Sequence, residues 1–446
     1  MENVKISVLM PSLNVVTYIS ECVKSVLEQT LKDIEIICID AGSTDGTLEI
    51  LESFAEKDNR VKIIKSPIKS YGYQMNLGID VAQGDYIGIV ETDDYIASNM
   101  YEELYSHVLE GEPDFIKASY TEFGSNEDNR VYNYVCKPVI EEISGKNIDL
   151  NKNPQYRLCD VNHIWSCIYK KSFITAEGIR FNETPGASYQ DTSFSFLVGC
   201  LAKNCIYLSD TYYYYRIDNS GSSVKQSSKI NYIVDEFNYI KKTLELKKVD
   251  TSDIQKDIDD LKLFLYTWNY FRISSEFRSQ FLDRIVDEII EYKHKYSNYE
   301  HSSQVIYELE LLSNKDIIKD VSSEKQIIHE AMQKLSDGIK HGKNYIMLGA
   351  GTYGRYVIEM QNKFRLSFIK RIADNSASVI GTKLMSYTVE SVDEVSKLQG
   401  YDWIIAVKKH TQEIIEQLHS LGVSDDHILI INEVLSFSMQ CKYLGK

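Results

Sequence analysis

Glu35-Ile36-Ile37-Cys38-Ile39-Asp40-Ala41-Gly42-Ser43-Thr44-Asp45-Gly46-Thr47 is the stretch from which the fold can be read. Residues 34–39 form a nearly continuous β-branched apolar run, the pattern of a parallel strand buried on both faces. The run ends in Asp, Gly, Ser and Thr, which build turns. Residues 47–57 then carry apolar side chains at helical spacing. The same strand, loop and helix recur on both sides. Lys5-Ile6-Ser7-Val8-Leu9-Met10 is a short apolar strand closed by Pro11, and a helix is expected over 18–29. Downstream, 60–64 reads as a strand, 75–82 as a helix and 86–90 as a strand ending at Glu91-Thr92-Asp93-Asp94. Repeated strand–helix–strand units predict a parallel α/β sheet. Ligands of such sheets bind beyond the carboxyl ends of the strands. Three polar loops sit there, over 11–14, 40–46 and 91–94, and two of them are acidic.

The rest of the chain changes character twice. Residues 116–215 are irregular and rich in aromatics, while 225–325 are polar, amphipathic and free of glycine and proline. Near 343 an α/β pattern begins afresh. Tyr345-Ile346-Met347-Leu348 leads into Gly349-Ala350-Gly351-Thr352-Tyr353-Gly354, a helical run follows, and strands are expected over 368–372 and 403–407. The expected domains are 1–224, an α/β sheet domain; 225–330, a helical domain or linker; and 331–446, a second, smaller Rossmann-like α/β domain.

Composition narrows the function. A chain of 446 residues with 43% hydrophobic and 26% charged residues is an ordinary soluble globular type, long enough for two or three domains. Acidic residues outnumber basic ones 65 to 49, a net charge of -16, which argues against a nucleic-acid partner. No stretch reaches the roughly 18 to 20 apolar residues of a membrane span. The first residues read as a strand, not as a signal peptide. The eight cysteines are scattered with no Cys-x-x-Cys pair, which suits reduced, mostly buried thiols in the cytoplasm.

The acidic tip Glu91-Thr92-Asp93-Asp94 is the strongest chemical signal. Three carboxylates within four residues repel one another unless a cation sits among them. Mg²⁺ or Mn²⁺ takes one or two carboxylates plus substrate phosphates, and would neutralise charge on a departing diphosphate. The alternative is a solvated turn with aspartates capping a helix.

Four segments in this order resemble the nucleotide-sugar glycosyltransferases of the GT-A fold, in particular family 2. They are residues 6–14, 35–47, Gln74-Met75-Asn76-Leu77-Gly78, and 84–94, together spanning about 100 residues. The resemblance implies roles. Asp93 matches the metal-holding carboxylate of the family's Asp-x-Asp motif, with Glu91 in place of its first Asp. Pro11, Asn14, Asp40, Gln74, Glu91 and Asp94 would line the donor, a nucleotide-sugar carrying UDP. Ala41 replaces the usual second acid of the nucleobase loop, which leaves the base open. Ser188-Tyr189-Gln190-Asp191-Thr192-Ser193-Phe194 resembles the motif of the acceptor half, and Asp191 matches the general base of an inverting displacement. Trp165 and Tyr189 are expected on the acceptor side, a core role for Trp165 being the alternative. His163 has a structural role by default, and Arg216, after the tyrosine run 212–215, is a candidate for the diphosphate. The acceptor would be a surface glycan, a lipid-linked sugar met peripherally at the inner face of a membrane, or a glycoprotein.

Gly349, Gly351 and Gly354 between a strand and a helix, with Asp374 20 residues after Gly354, form a possible second nucleotide site; a structural or partner-docking role is the alternative. A nucleotidyltransferase would need a glycine-rich, basic phosphate loop over 11–17, where neither property is present. A catalytically inactive glycosyltransferase-fold scaffold is the non-enzyme reading, kept open by Ala41 and Gln190. The helical middle and the second α/β unit would suit a homodimer.

Overall fold

The computed structural model describes residues 4–125, 130–136, 143–159, 163–219, 229–273, 275–296, 342–350 and 367–430, apart from 386 and 408–410, together with 338, 354, 357 and 358. The chain divides into two compact units, Met1–Val305 and Ile306–Lys446.

The first unit begins with β1 (Ile6–Ser12), α1 (Ile19–Leu27), β2 (Ile34–Asp40), α2 (Thr47–Ala55), β3 (Val61–Lys65), α3 (Tyr71–Val81) and β4 (Tyr86–Ile89). Every residue of β1, β2 and β4 is buried, as their continuous apolar runs demand. β1 lies parallel between β2 and β4, and β3 lies parallel to β2. Helix α3 starts four residues before the 75 expected from apolar spacing, because Ser70 caps it and accepts the Tyr73 N–H at 3.2 Å. Glu35 sits inside this apolar layer. Burial alone would raise its carboxyl, but bonds from Lys62, Ser7 and the Gln83 N–H outweigh it and hold the group below the ordinary glutamate range.

Beyond β4 come β5 (Tyr95–Ile96), α4 (Met100–Ser106), β6 (Phe115–Ser125), β7 (Arg130–Cys136), β8 (Asn147–Asp149), β9 (Cys167–Lys170), α5 (Lys171–Ala176), α6 (Gln190–Leu201) and β10 (Asn204–Arg216). The strand order is β3-β2-β1-β4-β9-β6-β10-β5, with β7 beside β6 and β8 beside β10. β9 is antiparallel to both β4 and β6, and β5 is antiparallel to β10. The sheet is therefore parallel where the strand–helix units alternate and mixed beyond β4. The tyrosine run lies in β10, an inner strand between β6 and β5.

The polar amphipathic runs form α7 (Tyr232–Lys247), α8 (Gln255–Arg272) and α9 (Ser275–Lys295). They continue the first unit's core by edge-on aromatic contacts. Phe237 of α7 meets Phe196 of α6 at 5.7 Å, Tyr266 of α8 meets Phe237 at 5.7 Å, and Phe281 of α9 meets Tyr266 at 6.0 Å.

The second unit holds β11 (Asn344–Leu348), β12 (Ile369–Asp374), β13 (Lys383–Leu384), β14 (Tyr387–Ser391), α10 (Val392–Val395), β15 (Tyr401–Ile405), α11 (Thr411–Ser420) and β16 (Ile428–Ile430). Their order is β13-β14-β12-β11-β15-β16, and β11 lies parallel between β12 and β15. This is the smaller Rossmann-like sheet. Among the described residues no helix is long and apolar enough to cross a membrane. Cys22, Cys38, Cys159, Cys167, Cys200 and Cys205 are free thiols, and all of these except Cys159 are buried.

Candidate active site

The loops after β1 and β2 are sewn together. Asn14, at φ 54°, accepts the Thr44 N–H on Oδ1 at 2.9 Å and donates its own N–H to Ser43 Oγ at 2.9 Å. Asp45 accepts the Val16 N–H at 3.0 Å, and Thr47 Oγ1 accepts the Val15 N–H at 2.9 Å. Asp40 is buried and turned into its own loop, where Oδ2 takes the N–H groups of Gly42 and Ser43, each at 2.9 Å. The hydroxyls of Ser43 and Ser12 reach its Oδ1. Gln74 of α3 donates Nε2 to Ser12 O at 3.1 Å and Ile39 O at 2.6 Å, tying helix, β1 and β2 at one point. Pro11 O accepts from Thr92 Oγ1 at 2.8 Å, which joins the β1 loop to the acidic tip.

The three acids of that tip have different surroundings. Asp94 is buried, with Oδ2 bonded by the Tyr213 hydroxyl at 2.7 Å and Oδ1 by the Arg216 N–H at 2.7 Å. Burial, with Asp93 beside it, pushes its carboxyl well above the ordinary aspartate range. Glu91 takes the Tyr71 hydroxyl on Oε1, and burial pushes it up to about 8, with the charges of Asp93 and Asp191 adding to the shift. Asp93 is partly exposed; Asn219 Nδ2 bonds its Oδ2 at 2.7 Å, and Arg216 Nε bonds its carbonyl at 2.6 Å. Arg216 lies between the rings of Tyr18 and Phe123, each 4.5 Å away, and pairs with Glu21 at 3.0 Å. Its guanidinium is thus bound to the framework around Asp93.

Asp191 lies in the first turn of α6, after Tyr189, which caps the helix at φ 65°. Its Oδ1 accepts the Thr192 N–H at 2.9 Å. Burial raises its carboxyl, while the Thr192 bond and the charges of His163 and Lys117 oppose the rise. The route from Asp191 to the acidic tip runs through α3. Tyr71 N–H donates to Gly186 O and Gly186 N–H to Lys69 O, each at 2.8 Å, and Ser70 Oγ donates to Thr184 O at 2.8 Å. The Tyr71 hydroxyl then meets Glu91. Burial is the main cause that raises Tyr71, followed by the negative charges of Glu91 and Asp191. Tip and helix start are therefore both tied to the start of α3, and Tyr71 feels the charge of each.

Trp165 is 5% exposed, stacked at 4.2 Å on Tyr213 and at 5.2 Å on Tyr215, with Tyr120 and His163 edge-on. It forms part of the wall behind the tip. The Tyr189 hydroxyl donates to Asn269 Oδ1 in α8 at 2.9 Å. Gln190, where the resembled family carries Glu, is buried and holds Ser188 N–H, Thr184 and Gly186 O. Sequence reasoning missed Tyr71, Tyr213 and Asn219, whose roles exist only through contacts with the distant tip. A groove of about 880 Å³ lined in part by Gln83, Tyr105, Leu109, Lys170 and Thr175 shares no residue with this site.

In the second unit, Gly349 has φ 119°, and a side chain on Gly354 would meet the carbonyl of Gly349. Asp374 bonds the Ala350 N–H on Oδ2 at 2.7 Å and the Ser376 N–H on Oδ1 at 2.8 Å, so it holds the glycine loop itself. Gly351 lies outside the described residues.

For a divalent cation, the test is the donor set. Among the described residues no three acids, cysteines or histidines converge as a ready-made metal cage. Mg²⁺ and Mn²⁺ need none when substrate phosphates complete the shell. A partly exposed Asp93 fits such a substrate-bridged ion. Asp94 fits it less well, because both its oxygens are already bonded by Tyr213 and the Arg216 N–H inside the framework.

The family model for glycosyl transferase family 2 matches residues 7–174. Glycosyltransferase GlyG of Streptococcus pneumoniae serotype 4 is 30% identical over 279 residues, covering 60% of this chain and 90% of GlyG. Putative glycosyltransferase EpsH of Bacillus subtilis is 28% identical over 244 residues, covering 52% of this chain and 66% of EpsH. In fold, the chain resembles S. aureus TarS 1-349 in complex with UDP-GlcNAc, at TM-score 0.55 and 18% identity, covering 76% of this chain and 93% of that one. The matched family segment carries β1, β2, α3 and the acidic tip, and GlyG is aligned over nine-tenths of its length; this chain belongs to glycosyl transferase family 2.

Proposed function

We propose that this protein transfers a sugar from a UDP-sugar to an acceptor hydroxyl of a surface glycan, lipid-linked sugar or glycoprotein, with inversion at the anomeric carbon. The observation that carries the reading is the arrangement of Asp191 and the Glu91–Asp93 tip, joined through Tyr71. Asp93 holds Mn²⁺ or Mg²⁺ together with the donor diphosphate. The ion supplies Lewis-acid stabilisation of the leaving phosphate oxygens. The loops 11–14 and 40–46, with Gln74, form the nucleoside side. A UDP donor is supported by the likeness to TarS, which binds UDP-GlcNAc.

Asp191 takes the acceptor proton while the acceptor oxygen bonds to the anomeric carbon. The carbon–oxygen bond to the diphosphate breaks, and its electron pair leaves with UDP. Burial makes Asp191 a stronger base than an ordinary aspartate, which favours proton removal near neutral pH.

Isothermal titration of UDP, GDP and CDP, with and without Mn²⁺, tests the donor side. Metal-dependent binding of UDP that disappears in Asp93→Ala is expected. Binding that survives the substitution without metal points to the glycine loop of the second unit instead, and no binding supports the inactive scaffold. Asp191→Asn tests the base. It should keep UDP affinity and lose UDP release from UDP-GlcNAc by roughly a hundredfold or more, the range of a general base.

A further inference from the structure

We infer that helices α7 and α8 belong to the catalytic machinery, with Glu236 and Asn269 acting as positioning residues that hold the Asp191 turn in place. The inference rests on Asp191 being the base, as proposed above.

Tyr189 precedes the acidic helix start in the left-handed region, at φ 65°. A bulky non-glycine residue stays there only when its surroundings hold it. The hold comes from α8, where Asn269 accepts the Tyr189 hydroxyl at 2.9 Å and anchors itself through Nδ2 to Ile230 O at 3.0 Å. Asn269 is fully buried, so the partners are locked.

Glu236 of α7 supports the other side of the same turn. It is fully buried, and Oε1 accepts from Asn182 Nδ2 at 3.0 Å and Thr184 Oγ1 at 3.5 Å. Thr184 in turn accepts on Oγ1 from Gln190 Nε2 at 2.8 Å, one residue before Asp191. A chain of side-chain bonds thus runs from α7 through Thr184 to Gln190, the residue before the base. Burial pushes the carboxyl up to about 8 against the hydrogen bonds of Ser193, Asn182 and Thr184, and the charge of Asp191 adds to the rise, so the neutral form is favoured. A neutral acid can support Asp191 without a second negative charge behind it. Tyr239 of α7 adds a hydroxyl bond to Arg180 O at 3.1 Å.

The test uses the full chain with Mn²⁺ and UDP-GlcNAc, water serving as acceptor, and compares Tyr189→Phe, Glu236→Leu and Glu236→Gln. A shift of the base by a fraction of an ångström is expected to lower kcat by about tenfold to a hundredfold in the first two. The donor KM and UDP affinity should stay at wild-type values. Glu236→Gln should restore kcat, because its amide oxygen can still accept from Asn182 and Thr184. Wild-type kcat in Tyr189→Phe and Glu236→Leu overturns the inference. So does a parallel fall of kcat, UDP affinity and melting temperature, which would mark a general structural role. If Asp191→Asn keeps wild-type kcat, the base assignment fails and this inference falls with it. If only Asp191→Asn loses activity, the base stands and the inference alone fails.

Discussion

Gly72→Ala offers a direct measure of how closely the donor and acceptor halves are fitted. A Cβ built on Gly72 would lie 2.8 Å from the Asn182 carbonyl carbon and 3.3 Å from Phe181 Cβ, and closer still to the Asn182 oxygen. Ordinary carbon contacts sit at about 3.5–4.0 Å, so one side must withdraw by roughly 1 Å. Helix α3 is pinned by Gln74 to β1 and β2, so residues 181–186 must give way. That segment is held by Asn76, which exchanges bonds of 3.0 Å with Phe181, and by the two 2.8 Å bonds between Gly186 and residues 69 and 71. A 1 Å displacement takes such bonds beyond useful geometry. Alanine in a helix would itself gain about 0.5–1 kcal/mol over glycine. Overpacking costs about 1–3 kcal/mol, and with so close an approach to backbone the upper part of that range applies, so the clash should win by up to about 2.5 kcal/mol. Asp191 lies five residues beyond Gly186, and kcat should fall by about tenfold to a hundredfold. Urea unfolding measures the first effect, and UDP release from UDP-GlcNAc the second. A variant as stable as wild type, or more so, with full kcat would refute the argument.

Two further outcomes follow from buried groups. The folded protein keeps a proton on Glu236 up to about pH 8, whereas the unfolded chain gives it up near the ordinary glutamate value of 4.5. Its contribution to stability is therefore full below about pH 4.5 and is lost as pH rises through 8, with a slope of up to about 1.4 kcal/mol per pH unit. Glu236→Gln should flatten that part of the pH dependence in urea midpoints at pH 5 to 8, and equal slopes would contradict the protonated state. Tyr213→Phe removes a hydroxyl that donates to Asp94 and accepts the Glu91 N–H at 3.1 Å. Leaving those groups unpaired should destabilise the protein by about 1–3 kcal/mol and weaken metal-dependent UDP binding, read by denaturation and titration; an unchanged midpoint would show that the hydroxyl bears no load.

Much of the donor half was legible from local pattern. β2 was readable because a strand buried on both faces has to be apolar throughout, and the turn at 40–46 because polar turn residues interrupt it. The start of α3 was less legible, since a capping serine is a single residue whose bond to Tyr73 leaves no periodic trace. The acceptor half was harder. β9 runs antiparallel between β4 and β6, and β10 is the inner partner of β6, pairings that no local periodicity encodes. Tyr71 and Tyr213 looked like ordinary aromatics because their hydroxyls find Glu91 and Asp94 across 20 and 119 residues. Asn269 lies 80 residues from Tyr189.

Residue order alone determined the α/β class, the three polar loops and the grouping of Glu91, Asp93 and Asp94, since apolar periodicity and charge spacing are properties of neighbours along the chain. Tertiary structure decided how those acids differ. Burial and the Tyr213 hydroxyl absorbed Asp94 into the framework, desolvation raised the Glu91 carboxyl against the opposing Tyr71 bond, and Asp93 stayed partly exposed. It also tied the Asp191 turn and the tip to the start of α3 and set α7 and α8 against that turn. Protonation and positioning depend on solvent exclusion and on partners far away in sequence, and these exist only once the chain has folded.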